Sequence, residues 1–546
     1  MSRVPPPSRA GRREWIGLAV IALPCALYSM DLTVLDLAVP ALSADLHPSS
    51  TELLWIIDIY GFLVAGSLIT MGTLGDRIGR RRLLLIGATA FGVASALAAF
   101  STSAAMLIAT RAALGLAGAT LAPSTLSLLR NMFLDPEQRG VAIGVWISSY
   151  SAGAVIGPPL GGLLLQHFWW GSVFLISIPM MALLLVLGPI LLPEFRDPGA
   201  RRPDPWSAVL SVSAVLGIIY GLKQIAVHGI GWLPTASIAG GLLVAAIFVR
   251  RQRTLADPLI DLRLFRTPAF SASLALYMLA TFTVFGPYVF IAQYLQLVLG
   301  LSPLAAGLWS MPFALGFVVG SMLSPLLARR IRPAFLMGSG LVVAAAGFVA
   351  LGGVGTSGLG IVVASTVVFS LGLSPVFTLA NDLIIGTAPP ERAGAAAAIS
   401  ETCSEFGGAL GIAVLGSIGT AIYRRAMAGS VIDGVSRDVT AAAQDTLGGA
   451  LAIARQLPSA GGALLEMARQ AFTRGLQITA LTSALVAVGM AVLAFVALRD
   501  VGTTAGAPAP SPPEARSSSE GPFNARAAPH RESSDPGARS GAAPEE

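Results

Sequence analysis

The chain has 546 residues, of which 54% are hydrophobic and only 12% are charged, with a formal net charge of +6. A soluble domain is about 25% charged, so a chain this apolar lacks the polar surface to cover itself in water. This composition excludes an ordinary soluble enzyme and predicts an all-α polytopic membrane protein. The two cysteines, Cys25 and Cys403, lie in apolar runs and offer no disulfide or zinc framework.

Fourteen apolar runs follow one another along the chain, and we number them spans 1 to 14. A membrane helix needs about 20 mostly apolar residues, which each run approaches or exceeds. The first run is too long for a signal-peptide core and has no cleavage site after it, so we expect it to be retained. The runs cover residues 15–39, 53–73, 83–100, 104–128, 140–165, 172–192, 206–222, 233–249, 269–299, 304–327, 334–354, 359–385, 394–423 and 476–498.

The arginines of the short connections alternate with the spans. Connections after spans 2, 4, 6, 8, 10 and 12 contain arginine, whereas those after spans 1, 3, 5, 7, 9 and 11 contain none, although Lys223 borders one of them. Cytoplasmic loops retain basic residues, so this alternation predicts that both chain ends are cytoplasmic. It also explains the positive charge better than nucleic-acid binding does.

The spans are expected to form two six-helix bundles around a central cavity, separated by an extra helix pair. Paired bundles with a site at their interface are a transporter architecture. We expect residues 463–476 to form a short surface helix in the outer loop, and the Pro- and Ser-rich tail to be disordered. The predicted divisions are a cytoplasmic N-terminus (1–14), a first bundle (15–193), a linker with two helices (194–268), a second bundle (269–498) with an outer loop (424–473), and the tail (499–546).

Four motifs stand out in the first bundle. Span 1 contains MDLTVLDLAVP (30–40), the loop after span 2 contains GTLGDRIGRRRLL (72–84), span 4 contains RAALGLAGA (111–119), and span 5 contains GAVIGPPLGG (153–162). The chain resembles the major facilitator superfamily, specifically its fourteen-helix branch of drug:proton antiporters, over about residues 12 to 500. The span 5 motif resembles that of exporters, and its expected functional residues are Gly153, Gly157, Pro158, Gly161 and Gly162.

The resemblance implies transport driven by a proton gradient, with no cofactor and no metal ion. It also implies a bacterial inner-membrane location and, for Arg111 in span 4, a part in proton coupling. An intramembrane arginine costs several kcal/mol unless it is paired or hydrated. A purely structural Arg111 that binds backbone carbonyls is the alternative.

The loop after span 2 is interpreted as a conformational latch. Gly72 and Gly79 allow close backbone approach and a tight turn. Asp76 is placed to meet an arginine or a helix N-terminus across the interface between the two bundles, with Arg77 and Arg80 beside it. The alternative, a plain positive-inside signal, explains the arginines but not the aspartate.

Carboxylates inside the spans are the sharpest indication of the substrate, because each is costly in a membrane. Asp31 and Asp58 should lie at the same depth to within about 3 Å, and Glu401 and Glu405 should share one face of span 13. With Arg111 they form the predicted site for protons and cations. Asp36 is expected to lie nearer the outer surface.

The two glutamates of span 13 and the sequence WIIDIYGF (55–62) resemble quaternary-ammonium exporters of the QacA type. Several carboxylates together with aromatic rings select lipophilic cations through charge and cation–π contact. The cavity aromatics predicted here are Tyr60, Trp146 and Tyr150. For any single aromatic, lipid packing is the alternative, and for either glutamate it is a hydrogen bond to a neighbouring serine or threonine.

These features predict proton-coupled efflux of lipophilic cationic drugs, dyes or quaternary ammonium compounds. A membrane enzyme would need a catalytic cluster, but the four histidines are scattered along the chain. Nutrient uptake is disfavoured by the span 5 motif. Export of a specific natural product that is not cationic is the closer alternative. We expect protons, small lipophilic molecules and membrane lipid as partners, no nucleic acid, and a monomer.

Overall fold

A computed structural model of the chain describes residues 9–196, 204–255, 258, 262–387, 393–428, 443–457 and 461–502. Within these residues fourteen helices are long and apolar enough to cross a membrane, which confirms the predicted number of spans. The predicted tail beyond residue 502, and three of the loop arginines, Arg201, Arg202 and Arg392, lie outside the described residues.

Most helices extend beyond the apolar runs by several residues. Spans 4 and 6 each consist of two helices in succession. A short 3₁₀ helix (Leu264–Arg266) precedes span 9, a π-helical turn (Tyr294–Val298) ends it, and one helix (Leu447–Ala454) lies between spans 13 and 14. The spans are Arg12–Leu46, Ser50–Ile78, Arg80–Ala99, Ala104–Gly118 with Leu121–Met132, Pro136–His167, Ser172–Leu175 with Ser177–Leu191, Pro205–His228, Trp232–Thr254, Pro268–Gln293, Pro303–Ala328, Pro333–Leu351, Leu359–Gly386, Ala393–Met427 and Gly461–Ala497.

Local sequence signals set several helix starts. Ser49 and Glu52 form a capping box at the start of span 2, where each side chain bonds the other residue's backbone N–H. Asp135 caps span 5, and Ser302 caps span 10 with proline at the next position. These residues set where each helix begins after the preceding loop.

Each six-helix bundle has its own buried apolar core. Span 1 packs along span 5 in the first bundle, and span 9 packs along span 13 in the second. The bundles meet along two seams, one between spans 5 and 10 and the other between spans 2 and 13.

The bundles are in close contact at the end opposite the arginine-rich loops. Gly162 in span 5 faces the backbone of Pro303 in span 10, and Gly307 faces that of Pro158. The side-chain amide of Gln296 donates to the carbonyl of Leu37 across the bundles, at 2.9 Å. These contacts close the seam at the arginine-poor end.

The two extra helices, spans 7 and 8, pack against each other as a hairpin. Span 7 also packs against spans 2 and 13. At the arginine-rich end the Arg251 guanidinium forms a bidentate ion pair with the Asp204 carboxylate, at 3.0 Å. Partial burial opposes ionisation, but hydrogen bonds from Ser207 and Arg251 outweigh it and hold the pKa of Asp204 below its usual value. The hairpin is therefore tied together at this end.

The structure corrects two sequence expectations. Residues 463–476 are not a separate surface helix, because they form the first turns of the helix Gly461–Ala497. The outer loop is shorter than 424–473, since spans 13 and 14 extend into it from both sides. The Asp36 side chain is 3% exposed, and its depth in the membrane stays a prediction.

Candidate functional site

The structure brings two of the predicted site residues into direct contact. Arg111 of span 4 binds the Asp31 carboxylate of span 1 at 2.7 Å. The same guanidinium donates to the backbone carbonyl of Ile56 at 3.2 Å and lies 4.7 Å from the ring centre of Tyr60. Arg111 therefore binds both a carboxylate and a backbone carbonyl, and its part in proton coupling stays a prediction. Its side chain is 2% exposed, so the pair is screened little by solvent.

A cluster of aromatic side chains lies beside this ion pair. Tyr28 is at its centre, with ring centres 6.1 Å from Tyr60 and 5.9 Å from Tyr150. Trp146 stands edge-on to Tyr150 at 4.8 Å and donates its indole N–H to Thr125. All three predicted cavity aromatics thus belong to one cluster, around Tyr28.

The cluster is joined to the second bundle by one short hydrogen bond. The Tyr28 hydroxyl of span 1 donates to the Glu405 carboxylate of span 13 at 2.5 Å. Tyr28 and Asp31 are three residues apart on one helix and so share a face. A polar and aromatic path therefore runs from Glu405 through Tyr28 and Tyr60 to Arg111 and Asp31.

The charges of the site are unequally balanced. Asp31 is paired with Arg111, whereas neither Glu401 nor Glu405 is within ion-pair distance of a basic side chain among the described residues. The two glutamates are four residues apart, so they lie on one helix face about 6 Å apart along its axis. The side of the site formed by span 13 therefore carries the uncompensated acids.

Asp58 does not join this cluster. Its carboxylate lies 2.7 Å from the ammonium of Lys223 in span 7, and both side chains are almost completely buried. Sequence reasoning placed Lys223 at the border of a loop. The signal that could have identified it was a lone lysine in an otherwise apolar helix, which requires a buried partner.

The predicted latch residues are held within their own bundle. Arg80 binds the Asp76 carboxylate at 2.5 Å and donates to the carbonyl of Pro123. Gly79 has a φ of 113°, which favours glycine, and a Cβ there would meet the carboxylate of Glu194. The carbonyl of Arg77, in the last turn of span 2, accepts from Arg196, and a Cβ at Gly72 would lie in ordinary van der Waals contact with Pro123 of span 4, at 3.7 Å. The cross-bundle partner of Asp76 stays a prediction.

The span 5 motif packs mainly against span 1. Gly153 faces the backbone of Ala26, and Gly157 and Gly161, each one turn further along, continue the same close approach. Gly162 instead faces span 10. Small residues let helix backbones approach closely in membranes, so this helix can contact both bundles at once.

Comparison with known proteins identifies the family. The profile described as Major Facilitator Superfamily matches residues 21–412. The chain belongs to this superfamily. It is thus a multi-pass membrane transporter of small molecules and not an enzyme, and its fold is the one that the motifs predicted.

Three curated relatives have names that refer to efflux or resistance. The chain is 44% identical to the multidrug efflux pump LfrA of Mycolicibacterium smegmatis, over 91% of this chain and 98% of the relative. It is 37% identical to the methyl viologen resistance protein SmvA of Salmonella typhimurium, over 88% and 98%. It is 36% identical to the tetracenomycin C resistance and export protein of Streptomyces glaucescens, over 75% and 77%. These relatives place the chain in the drug-efflux branch of the superfamily.

Proposed function

We propose that the protein exports lipophilic cations in exchange for protons by alternating access. The observation that carries this proposal is the pair of uncompensated acids, Glu401 and Glu405, next to the aromatic cluster around Tyr28. A carboxylate and aromatic faces together bind an organic cation through charge and through cation–π attraction. The cation would lie between span 13 and span 1, where both bundles contact it.

The same arrangement couples the cation to protons. A carboxylate that holds a proton cannot also bind a cation, so the two ligands compete for Glu405. The Asp31 carboxylate is held by Arg111 at the other end of the path. Because Tyr28 and Tyr60 connect Glu405 to this ion pair, a change at one end of the path alters the contacts at the other. Because the proton and the cation cannot bind Glu405 at the same time, one must leave before the other binds, and their exchange is obligatory.

Alternating access requires the bundles to rock about the bound ligand. The contacts at Gly162 and Gly307 close the arginine-poor end. We assign the arginine-rich end and both termini to the cytoplasm of a bacterial cell, following the positive-inside rule. The site in this conformation would then be reached from the cytoplasmic side, which suits an exporter. One chain supplies both faces of the site, so we take the monomer as the functional unit.

The names of the relatives support two substrate classes unequally. SmvA is named for resistance to methyl viologen, which is a dication, and LfrA is named a multidrug pump. The relative named for tetracenomycin C favours the alternative, export of a natural product that is not cationic. The glutamates of span 13 favour the cationic class for this chain, since a deprotonated glutamate there has no counter-ion unless the substrate supplies one.

The substrate class can be tested in a host that lacks its own efflux pumps. We expect cells that express the chain to resist ethidium and benzalkonium, which are both cations. We do not expect them to resist a neutral macrolide. Export of ethidium from loaded cells should stop when the proton gradient is collapsed. Resistance to the neutral compound alone would contradict the proposal and support the natural-product alternative.

A further inference from the structure

Lys223 is the only lysine in the chain. Of the 35 basic residues, 34 are arginines, and many of those lie in the loops. The single lysine is instead 1% exposed and lies within the last two turns of the helix Pro205–His228, which forms span 7. A compact ammonium is a point charge and differs from the planar guanidinium used everywhere else in this protein. Its placement therefore calls for a specific role.

The partners of Lys223 are both on span 2. Its Nζ lies 2.7 Å from Asp58 Oδ2 and 4.0 Å from the ring centre of Trp55. A carboxylate combined with an aromatic face is the arrangement expected for a bound organic cation. In this structure the protein's own lysine occupies that arrangement.

Span 2 is therefore held by a buried cation on each side. Tyr60 follows Asp58 by two residues, which turns it about 200° around the helix. On that side Arg111 binds the Tyr60 ring and the Ile56 carbonyl, and on the other side Lys223 binds Asp58. Arg111 belongs to the first bundle, whereas Lys223 belongs to the hairpin of spans 7 and 8.

The ion pair lies where three parts of the protein meet. Phe62 of span 2, Ile219 of span 7 and Ala409 of span 13 form one buried cluster. Gly66 faces Val212 of span 7, so the helices approach closely there. Span 7 thus fills the seam between the bundles, and its ionic contact is made to the first bundle.

We propose that Lys223 is the resident counter-ion of Asp58 and a positioning residue of the transport cycle. It cancels the charge of Asp58, so Asp58 does not bind the exported cation, and it holds span 7 on span 2 while the second bundle moves. This inference rests on the proposed function for its effect on substrate, but the ion pair can be tested without transport. It is an alternative to the prediction that Asp58 belongs to the cation site, and the experiments below decide between the two.

Replacing either Asp58 or Lys223 alone should destabilise the protein more than replacing both. A buried charge left without its partner is strongly unfavourable, whereas replacing both partners by neutral side chains is often tolerated. Asp58→Asn leaves Lys223 without its carboxylate, and the lone positive charge should disfavour binding of a cationic substrate. Lys223→Met leaves a lone carboxylate, which should not weaken cation binding. The double variant restores neutrality.

Because the lysine is unique, its environment can be measured directly. An amine-reactive reagent on the full chain in detergent has only two targets, the α-amino group and Lys223. We expect labelling of the α-amino group alone in the parent, and at least tenfold more labelling of Lys223 in Asp58→Asn. Asp500→Asn, at an acid whose side chain is 90% exposed, is the matched control and should label like the parent.

Ethidium affinity of the purified proteins completes the test. We expect Asp58→Asn to bind ethidium at least tenfold more weakly, and the double variant to bind within about threefold of the parent. The melting temperature should fall in each single variant and recover in the double variant. A double variant no better than Asp58→Asn would show that Asp58 itself binds the cation, and full labelling of Lys223 in the parent would overturn the ion pair. If the parent neither binds nor exports ethidium, the proposed function fails, while the labelling and melting results still decide the ion pair.

Discussion

Glu405 offers a sharp test of how the site recognises charge. Its carboxylate accepts a hydrogen bond from Tyr28 and lies at the boundary between the bundles. In Glu405→Gln the amide oxygen can still accept from Tyr28, so the shape and the hydrogen bond are retained and only the charge is lost. The change therefore isolates electrostatic recognition from packing.

The expected size of the effect follows from the charges. Two unit charges 4 Å apart attract by about 4 kcal/mol at an effective dielectric constant of about 20. Desolvation of both ions offsets much of this gain. A net loss of roughly 1.5 to 3 kcal/mol is left, which corresponds to about a 10- to 100-fold weaker affinity. A dication engages both glutamates and should show the full loss, whereas a monocation should lose less.

The assay compares efflux and binding of chlorhexidine, a dication, with those of ethidium. We expect Glu405→Gln to impair chlorhexidine more than ethidium, and Glu401→Gln to have a milder effect. Tyr28→Phe tests the hydrogen bond separately, since it keeps the ring and the charge. Glu466→Gln, at an exposed glutamate of span 14, is the matched control and should behave like the parent.

Equal efflux of both compounds by the parent and by the Glu401→Gln, Glu405→Gln double variant would refute this reasoning. The glutamates would then have a structural role. A loss of the same size for ethidium and chlorhexidine would also contradict it, because charge recognition predicts a dependence on ligand charge.

Two further predictions concern the transport cycle and the topology. Asp76→Asn or Arg80→Ala should nearly abolish transport while ethidium binding stays measurable, because the loop governs interconversion of conformations; lost binding with normal cycling would contradict the latch. A reporter fused after Pro333 should be cytoplasmic and one fused near Gly448 should be outside, and opposite locations would overturn the orientation.

The spans and the site cluster were largely predictable from sequence. Apolar runs and alternating arginines follow from the membrane itself, and the described part of the chain contains the fourteen spans that the apolar runs predict. The pairing of Asp31 with Arg111 could be anticipated, because an intramembrane arginine needs a partner and these two were assigned to one site. Tertiary contacts across bundles carry no local signal, so the bond from Tyr28 to Glu405 could not be read from either segment alone.

The role of span 7 shows where sequence reasoning fails. Hydropathy marks Lys223 as the end of an apolar run, because a lysine lowers the mean whether it faces lipid, water or a partner. In the structure Lys223 lies within the helix of span 7 and pairs with Asp58 of span 2. This pairing requires span 7 to pack on span 2. A segment 463–476 with mixed apolar and charged residues was likewise interpreted as a surface helix, although the helix continues through it into span 14.

Proton release on drug binding tests the central claim of exchange most directly. Ethidium is added to the purified protein in weakly buffered detergent solution, and the pH is followed with an indicator. The account predicts that the parent releases protons as ethidium binds and that Glu405→Gln, which lacks the carboxyl group for which proton and cation compete, does not. Binding of ethidium by the parent with no proton release, or unchanged release in Glu405→Gln, would contradict it.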